Sequence, residues 1–369
     1  MKLTCVVGAR PNFMKVAPIL AAANQRPHLN CRLVHTGQHY DQRMSTLFFT
    51  ELGLPEPDVY LGVGSGNPAA QTARIMLAFD QALDTHPADL VLVVGDVTST
   101  LACALTALKR GLPLAHVEAG LRSGDRTMPE EINRILTDQM ADYLLITERS
   151  AQENLLREGI AQERIHFVGN VMIDTLLRHR EQARKSDILS RLGLSPGAYA
   201  VCTLHRPSNV DTLSAAENTL QALEVLAERL PVVLPLHPRT QSKLERFGLL
   251  ERLLGFPRLC VTEPLGYLEF LALLDQAQLV FTDSGGIQEE TTVLGVPCLT
   301  FRENTERPVT ITEGTNRLVG RDPCAVAAAV EAVLEGKHPG GRIPELWDGQ
   351  AAERILDVLE RHASVPASA

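Results

Sequence analysis

The chain has 369 residues, 45% of them hydrophobic and 21% charged. At roughly 100–200 residues per domain the length predicts about two domains, and the composition excludes a disordered chain, a collagen and a coiled coil. With 35 Lys and Arg against 44 Asp and Glu, the formal net charge of −9 disfavours a nucleic-acid or anionic-membrane binder, but not an anionic small molecule held by a few local cations. No apolar run approaches the ~20 residues that a membrane helix needs. Seven cysteines, an odd number without C-x-x-C spacing, predict free thiols in a reducing compartment. The apolar start Leu3–Val7 is broken at once by Gly8, Arg10 and Pro11, too short for an export signal, so a cytoplasmic location is expected.

Taken in chain order, Leu3–Val7 reads as a first buried strand, followed by Gly8-Ala9-Arg10-Pro11-Asn12 with Lys15 a helical turn further on. A strand–glycine–helix junction offers free backbone N–H groups, and Arg10 and Lys15 add positive charge toward an anion; the plain alternative is a tight turn with solvated cations. Arg32–Thr36 is the next strand, and Gly62–Gly66 is a glycine-rich loop that lacks the third glycine of a dinucleotide fingerprint. The Pro68–Thr85 segment predicts a helix, Leu90–Val94 a strand and Ser99–Arg110 a helix. Between the last two lies Gly95-Asp96-Val97-Thr98-Ser99, where Asp96 is either a functional carboxylate at a strand end or a helix cap. Pro113–Val117 is a strand that runs into Glu118, a carboxylate at the end of an apolar run that needs a partner or a purpose. Pro129-Glu130-Glu131 opens a helix, where acids complement the dipole. If Asp96, Glu118 and Glu130 converge on one sheet edge, crowding is expected to drive their pKa values apart and suit them to proton transfer.

Tyr143–Ile146 and His166–Val168 complete the first set of strands, and Ile173–Lys185 reads as a bridging helix. The second set comprises Ala200–Leu204, Val232–Leu236, Leu259–Thr262, Leu279–Thr282, Pro297–Phe301 and Arg317–Val319, with a helix over Ser214–Arg229. His205-Arg206-Pro207 follows the first of these strands and points to an exposed edge. Asp283-Ser284-Gly285-Gly286 follows the fourth, and its small residues let helix-start amides approach a pyrophosphate closely. Glu290, a turn further on, can reach a sugar hydroxyl pair, and Thr305-Glu306-Arg307 can supply a further cation. Lys337–Gly349 is rich in Gly and Pro and precedes a final helix, Ala351–His362. About six apolar, non-alternating runs per half, each followed by a helical segment, predict two doubly wound parallel α/β domains rather than one large sheet. The expected divisions are residues 1–169, carrying most of the acids, 170–345, and a C-terminal helix in 346–369 that packs back on the first domain.

Taken together, Gly8–Pro18, Gly95–Thr100, His116–Arg122, Pro129–Arg134, Thr282–Glu290 and Thr305–Pro308 resemble the motifs of the non-hydrolysing UDP-N-acetylglucosamine 2-epimerases, in the same order over nearly the whole chain. The resemblance implies a GT-B fold, with a UDP-sugar between two Rossmann-like domains. It implies elimination of UDP to a bound 2-acetamidoglucal, then re-addition with inversion at the second sugar carbon, giving UDP-N-acetylmannosamine. By motif it places Asp96, Glu118, Glu130 and His205 on catalytic positions. It places Arg10, Lys15, Ser284, Gly285, Gly286, Glu290 and Arg307 on nucleotide-binding positions, with Leu265 and Phe270 near the uracil. It further implies no cofactor or metal, a homodimer and a role in polysaccharide biosynthesis.

The sequence departs from the commonest bacterial form at Asn12, at Gln38-His39-Tyr40-Asp41 and at His205-Arg206-Pro207-Ser208-Asn209. Those departures are expected to mark altered substrate activation or a modified sugar such as a diacetamido uronic acid. Alternatives on the same residues are a GT-B glycosyltransferase, a hydrolysing epimerase and a non-catalytic nucleotide-sugar sensor.

Overall fold

The computed structural model describes residues 1–38 and 49–363, apart from the side chains of residues 10, 362 and 363. The chain divides into two units, Met1–Arg178 with Glu345–Ala369, and His179–Pro344.

Unit one is built on a seven-stranded sheet ordered β3-β2-β1-β4-β5-β6-β7. The strands are β1 (Lys2–Val7), β2 (Asn30–His35), β3 (Val59–Tyr60), β4 (Leu90–Val94), β5 (Leu114–Ala119), β6 (Tyr143–Ile146) and β7 (Ile165–Phe167). All pairings are parallel. Helices join the strands, and their apolar faces cover the sheet. Strand β4 is Leu-Val-Leu-Val-Val with every residue buried, as a strand packed on both faces requires. The helix Pro68–Thr85 turns Ile75, Phe79 and Leu83 inward and keeps Leu77 outside. The edge strand β3 has no counterpart in the predicted set, because two half-exposed residues make no apolar run.

Unit two repeats the plan on six strands, ordered β10-β9-β8-β11-β12-β13 and again all parallel. They are β8 (Ala200–Thr203), β9 (Val232–Pro235), β10 (Leu259–Thr262), β11 (Leu279–Thr282), β12 (Cys298–Thr300) and β13 (Asn316–Leu318). Phe281, Phe301 and Leu226 sit at the centre of its core.

The division between units falls inside the Val171–Ala183 helix, further along the chain than the glycine that ends the first strand set. The early turns of that helix belong to unit one. Thr175 donates its hydroxyl to the Met14 carbonyl at 2.6 Å, and Asp174 accepts from Ala351 N–H and Ala352 N–H at 3.1 and 2.7 Å. The final helix, Ala351–Ala363, packs against the Arg10–Ala23 helix of unit one, where Arg26 pairs with Asp357 and Glu360 at 2.8 Å each.

In each sheet the strand order reverses at one place, between β1 and β4 and between β8 and β11. Doubly wound sheets bind ligands beyond the carboxyl ends of the strands at such a point. Arg10, Lys15, Asp96, His205 and Ser284–Glu290 follow those strands, whereas Glu118 lies in β5, Glu130 beyond it, Leu265 and Phe270 follow β10, and Arg307 follows β12.

Candidate active-site residues at two switch points

In unit one, Gly8 leaves β1 so closely packed that an added Cβ would stand 2.5 Å from the Ser99 Cβ and 2.9 Å from the Thr36 hydroxyl. Asn12 is a structural brace here. Its carbonyl accepts from Gly8 N–H at 3.0 Å and Ala9 N–H at 3.1 Å, and its amide donates to the Val94 carbonyl at 3.1 Å, joining the ends of β1 and β4. Arg10 opens the helix Arg10–Ala23, and its side chain lies outside the described residues. Gln38 accepts from Ser99 N–H and hydroxyl at 2.9 and 2.7 Å, while His39, Tyr40 and Asp41 lie outside the described residues.

Lys15, 6% exposed, forms an ion pair with Glu118, which is 5% exposed. A Cβ at Gly95 would lie 2.8 Å from the Lys15 amine, so the glycine leaves room for this pair. Glu118 has φ +71°, one of two non-glycine residues with positive φ among those described. Register explains the angle. Val117 pairs with Leu145 and Ala119 with Ile146, so Glu118 is the extra residue of a bulge that turns its side chain off the sheet pattern. Holding a non-glycine residue there costs on the order of 1–3 kcal/mol, and such strain clusters at functional sites.

Asp96 accepts from the Arg134 guanidinium at 3.0 and 2.8 Å, and its own carbonyl accepts from the Asn133 amide at 2.8 Å. Arg134 also pairs with Glu131. Glu131 is buried and accepts from Ser123 N–H, the Ser123 hydroxyl and Gly124 N–H, so it holds the loop before its helix. Glu130 is exposed in the first turn and makes no hydrogen bond or ion pair among the described residues. Asp96 and Glu118 are thus each held by a cation, and Glu130 is exposed.

In unit two, the buried Asp283 organises the carboxyl ends of β8 and β11. It accepts from His205 N–H at 2.9 Å, Arg206 N–H at 2.8 Å and the Asn209 amide at 3.0 Å, and lies 3.0 Å from His205 Nδ1. Burial alone would raise its pKa, but His205 and then these hydrogen bonds outweigh burial and hold the carboxyl below its ordinary value of 3.8. Nδ1–H of His205 donates to this carboxylate, which orients the ring and leaves Nε2 without a partner among the described residues.

Ser284 precedes the helix Gly285–Leu294, and no backbone N–H is capped by its hydroxyl. Next to the helix start lies a cluster of guanidiniums. Glu306 sits 2.5 Å from Arg307, 2.8 Å from Arg302 and 3.4 Å from Arg206, and Arg307 also pairs with Glu289 at 2.8 Å. Gly286 is half-buried in the first turn. Glu290 is buried and accepts from the Tyr267 hydroxyl at 3.2 Å. Leu265 lies before the Tyr267–Asp275 helix and Phe270 within it, both half-buried.

Arg134 had no role assigned from sequence, although its i,i+3 spacing to Glu131 is a signal that could have found it. Arg206, Arg302 and Glu306 had no role assigned from sequence, since only the fold gathers them. The 340 Å³ depression lined by Leu194, Pro231, Pro257 and Arg258 lies at the amino ends of β8–β10, on the edge opposite these clusters. Among the described residues no group of three or more His, Cys, Asp or Glu side chains is placed to hold a metal ion.

The Asp283 geometry makes a prediction. Asp283→Asn is expected to lower stability by about 1.5–3 kcal/mol near neutral pH, the worth of hydrogen bonds to a charged group. Because the folded pKa is depressed, the stabilisation is complete above the unfolded value and is lost as pH falls through the folded one. Urea midpoints of the two proteins should therefore differ at about pH 7 and converge as the pH falls below the ordinary carboxylate value. A gap independent of pH would contradict this assignment.

The family model described as UDP-N-acetylglucosamine 2-epimerase matches residues 21–360. The UDP-N-acetylglucosamine 2-epimerase of Methanocaldococcus jannaschii is 40% identical over 97% of this chain and 99% of its own. A crystal structure of the enzyme from that organism, in complex with UDP-GlcNAc and UDP, superposes with a TM-score of 0.92, covering 98% of this chain and 100% of the other. The UDP-2,3-diacetamido-2,3-dideoxy-D-glucuronate 2-epimerase of Pseudomonas aeruginosa is also 40% identical, over 98% of this chain and 100% of its own.

Proposed function

Since the chain belongs to the UDP-N-acetylglucosamine 2-epimerase family and has a GT-B type fold, we propose that it interconverts UDP-N-acetylglucosamine and UDP-N-acetylmannosamine by eliminating and re-adding UDP. The observation that carries this reading is the division of chemistry between the two switch points. Unit one carries carboxylates at the ends of β4 and β5, Asp96 and Glu118, with Glu130 nearby in sequence on an adjoining helix. Unit two ends its reversal in helix-start amides, guanidiniums and an oriented imidazole. A glycosyltransferase that moves a sugar from UDP needs the second set but at most one general base from the first, not a set of carboxylates.

A carboxylate removes the proton from the second sugar carbon, and that electron pair forms the double bond to the first carbon. The bond from the first carbon to the diphosphate oxygen breaks, and UDP leaves with the pair. Return of UDP with a proton delivered to the opposite face gives the epimer. Two faces require acid/base groups on both, so a set of carboxylates serves where one would not. Lys15 pairs with Glu118 and Arg134 with Asp96, so each carboxylate is held in place by a cation. Glu130, exposed and without a partner among the described residues, is the carboxyl with freedom to carry the proton back. The Ser284–Gly286 amides, Arg10 and Arg307 stabilise the departing diphosphate. His205, aimed by Asp283, is its proton partner. Glu290 holds the ribose, and Leu265 and Phe270 flank the uracil.

The same reading includes a homodimer in the cytoplasm. Leu77, Leu108 and Leu136 are exposed on three neighbouring helices and support self-association, which light scattering tests by mass. All seven cysteines are free thiols, which supports a reducing compartment. No helix among the described residues is long and apolar enough to cross a membrane.

One second reading is favoured by the equal identity to the diacetamido glucuronate epimerase. Initial rates with the two UDP-sugars decide between them. We expect the larger kcat/KM with UDP-N-acetylglucosamine, approached from either epimer and without any acceptor. A larger value with the uronate sugar overturns the substrate assignment, and a strict need for an acceptor overturns the reaction.

A further inference from the structure

The Glu118 bulge is held from beneath by a buried carboxylate that the reaction does not use. Asp138 lies in the last turns of the Pro129–Met140 helix and is wholly buried. One of its oxygens meets His116 Nδ1 at 2.6 Å, and the other accepts from Gly120 N–H at 3.0 Å. His116 stands two residues before Glu118 and Gly120 two residues after it, so a single carboxylate bridges the two sides of the bulge. Gly120 is fixed in its turn, with φ +79° and no room for a side chain, since an added Cβ would lie 2.6 Å from the Ala151 carbonyl oxygen.

The bridge reaches further. His116 Nε2 donates to the Gly95 carbonyl at 2.8 Å, immediately before Asp96, and Gly95 N–H donates to the Val117 carbonyl at 3.0 Å. The helix that carries Asp138 also carries Glu130 at its start and Arg134, which holds Asp96. Arg122 lies 2.8 Å from the same Asp138 oxygen that accepts from Gly120. Burial alone would raise the Asp138 pKa, but His116 and Arg122 hold it below the ordinary carboxylate value, so the bridging group stays charged.

We propose that Asp138, acting with His116, is a positioning clamp for the reaction: it locks the strained bulge so that Glu118 is presented for proton transfer, without itself touching the substrate. Both side chains are wholly buried, which bars them from the chemistry itself. The inference rests on Glu118 being a proton-transfer group.

The test uses the full chain with Asp138→Asn and His116→Gln. Misplacing a reacting group by about 1 Å costs about a hundredfold in rate, so kcat and deuterium uptake at the second sugar carbon should fall together by about that factor. KM and the UDP dissociation constant should be unchanged. In the Glu118→Gln background, Asp138→Asn should add little further loss, because its effect passes through Glu118. Full kcat in a folded variant, a rise in KM with kcat intact, or losses that multiply in the double variant would each overturn the clamp. If Asp138→Asn fails to fold, His116→Gln carries the same test, since its shorter amide cannot span both Asp138 and Gly95. A wild-type protein without epimerase activity would instead strike at the reading beneath it.

Discussion

Glu118→Gln is expected to lower kcat for epimerisation by about 10²–10⁴-fold, the range contributed by one general acid/base group, while UDP binds as before. The amide is close to isosteric and can still meet Lys15 through its oxygen, so the bulge at φ +71° keeps its shape. What it loses is the ability to take a proton. Removing Lys15 is the complementary change: Lys15→Met takes away the cation paired with this buried carboxylate and should lower kcat as well. Epimerisation rates and UDP titrations on the same preparations check both. Near-normal kcat for Glu118→Gln would remove this residue from the mechanism.

Gly285→Ala is expected to weaken UDP binding by about 10- to 100-fold, the equivalent of about 1–3 kcal/mol of overpacking. Gly285 is the first residue of its helix, and a methyl group there would stand 2.6 Å from a Glu306 carboxylate oxygen and 2.9 Å from the Arg307 guanidinium carbon. Neither neighbour has freedom to yield. Arg307 is held by Glu289 and Glu306, and Glu306 is held in turn by Arg302. The methyl group therefore displaces a cation or tilts the amides that face the diphosphate. KM should rise more than kcat falls. Calorimetric titration with UDP reads the affinity directly, and an unchanged constant would place the diphosphate elsewhere.

The strands were legible where burial on both faces made them so. Leu90–Val94 announces itself because β4 is apolar at every position. Val59–Tyr60 does not, because an edge strand of two residues needs only backbone pairing with Val34 and His35. Carboxylates could be found in sequence because an acid after an apolar run is expensive without a purpose. Their partners could not. Lys15 looks like an anion ligand in its own motif, and only the bulge at Glu118, invisible in one dimension, turns an acid from β5 toward it. His116 and Asp138 are 22 residues apart and each passes as an ordinary core or helix residue until the helix lies on the strand. The guanidinium cluster at Glu306 was hidden for the same reason, its members drawn from separate loops after β8 and β12.

The most direct measurement is NMR of the second sugar carbon after incubation of the protein with UDP-N-acetylglucosamine in deuterated water. The proton-transfer account predicts deuterium in both the gluco and manno epimers at equilibrium, with UDP retained on the sugar. Manno product that keeps its original hydrogen, or free sugar accumulating in place of it, would contradict removal and return of that proton.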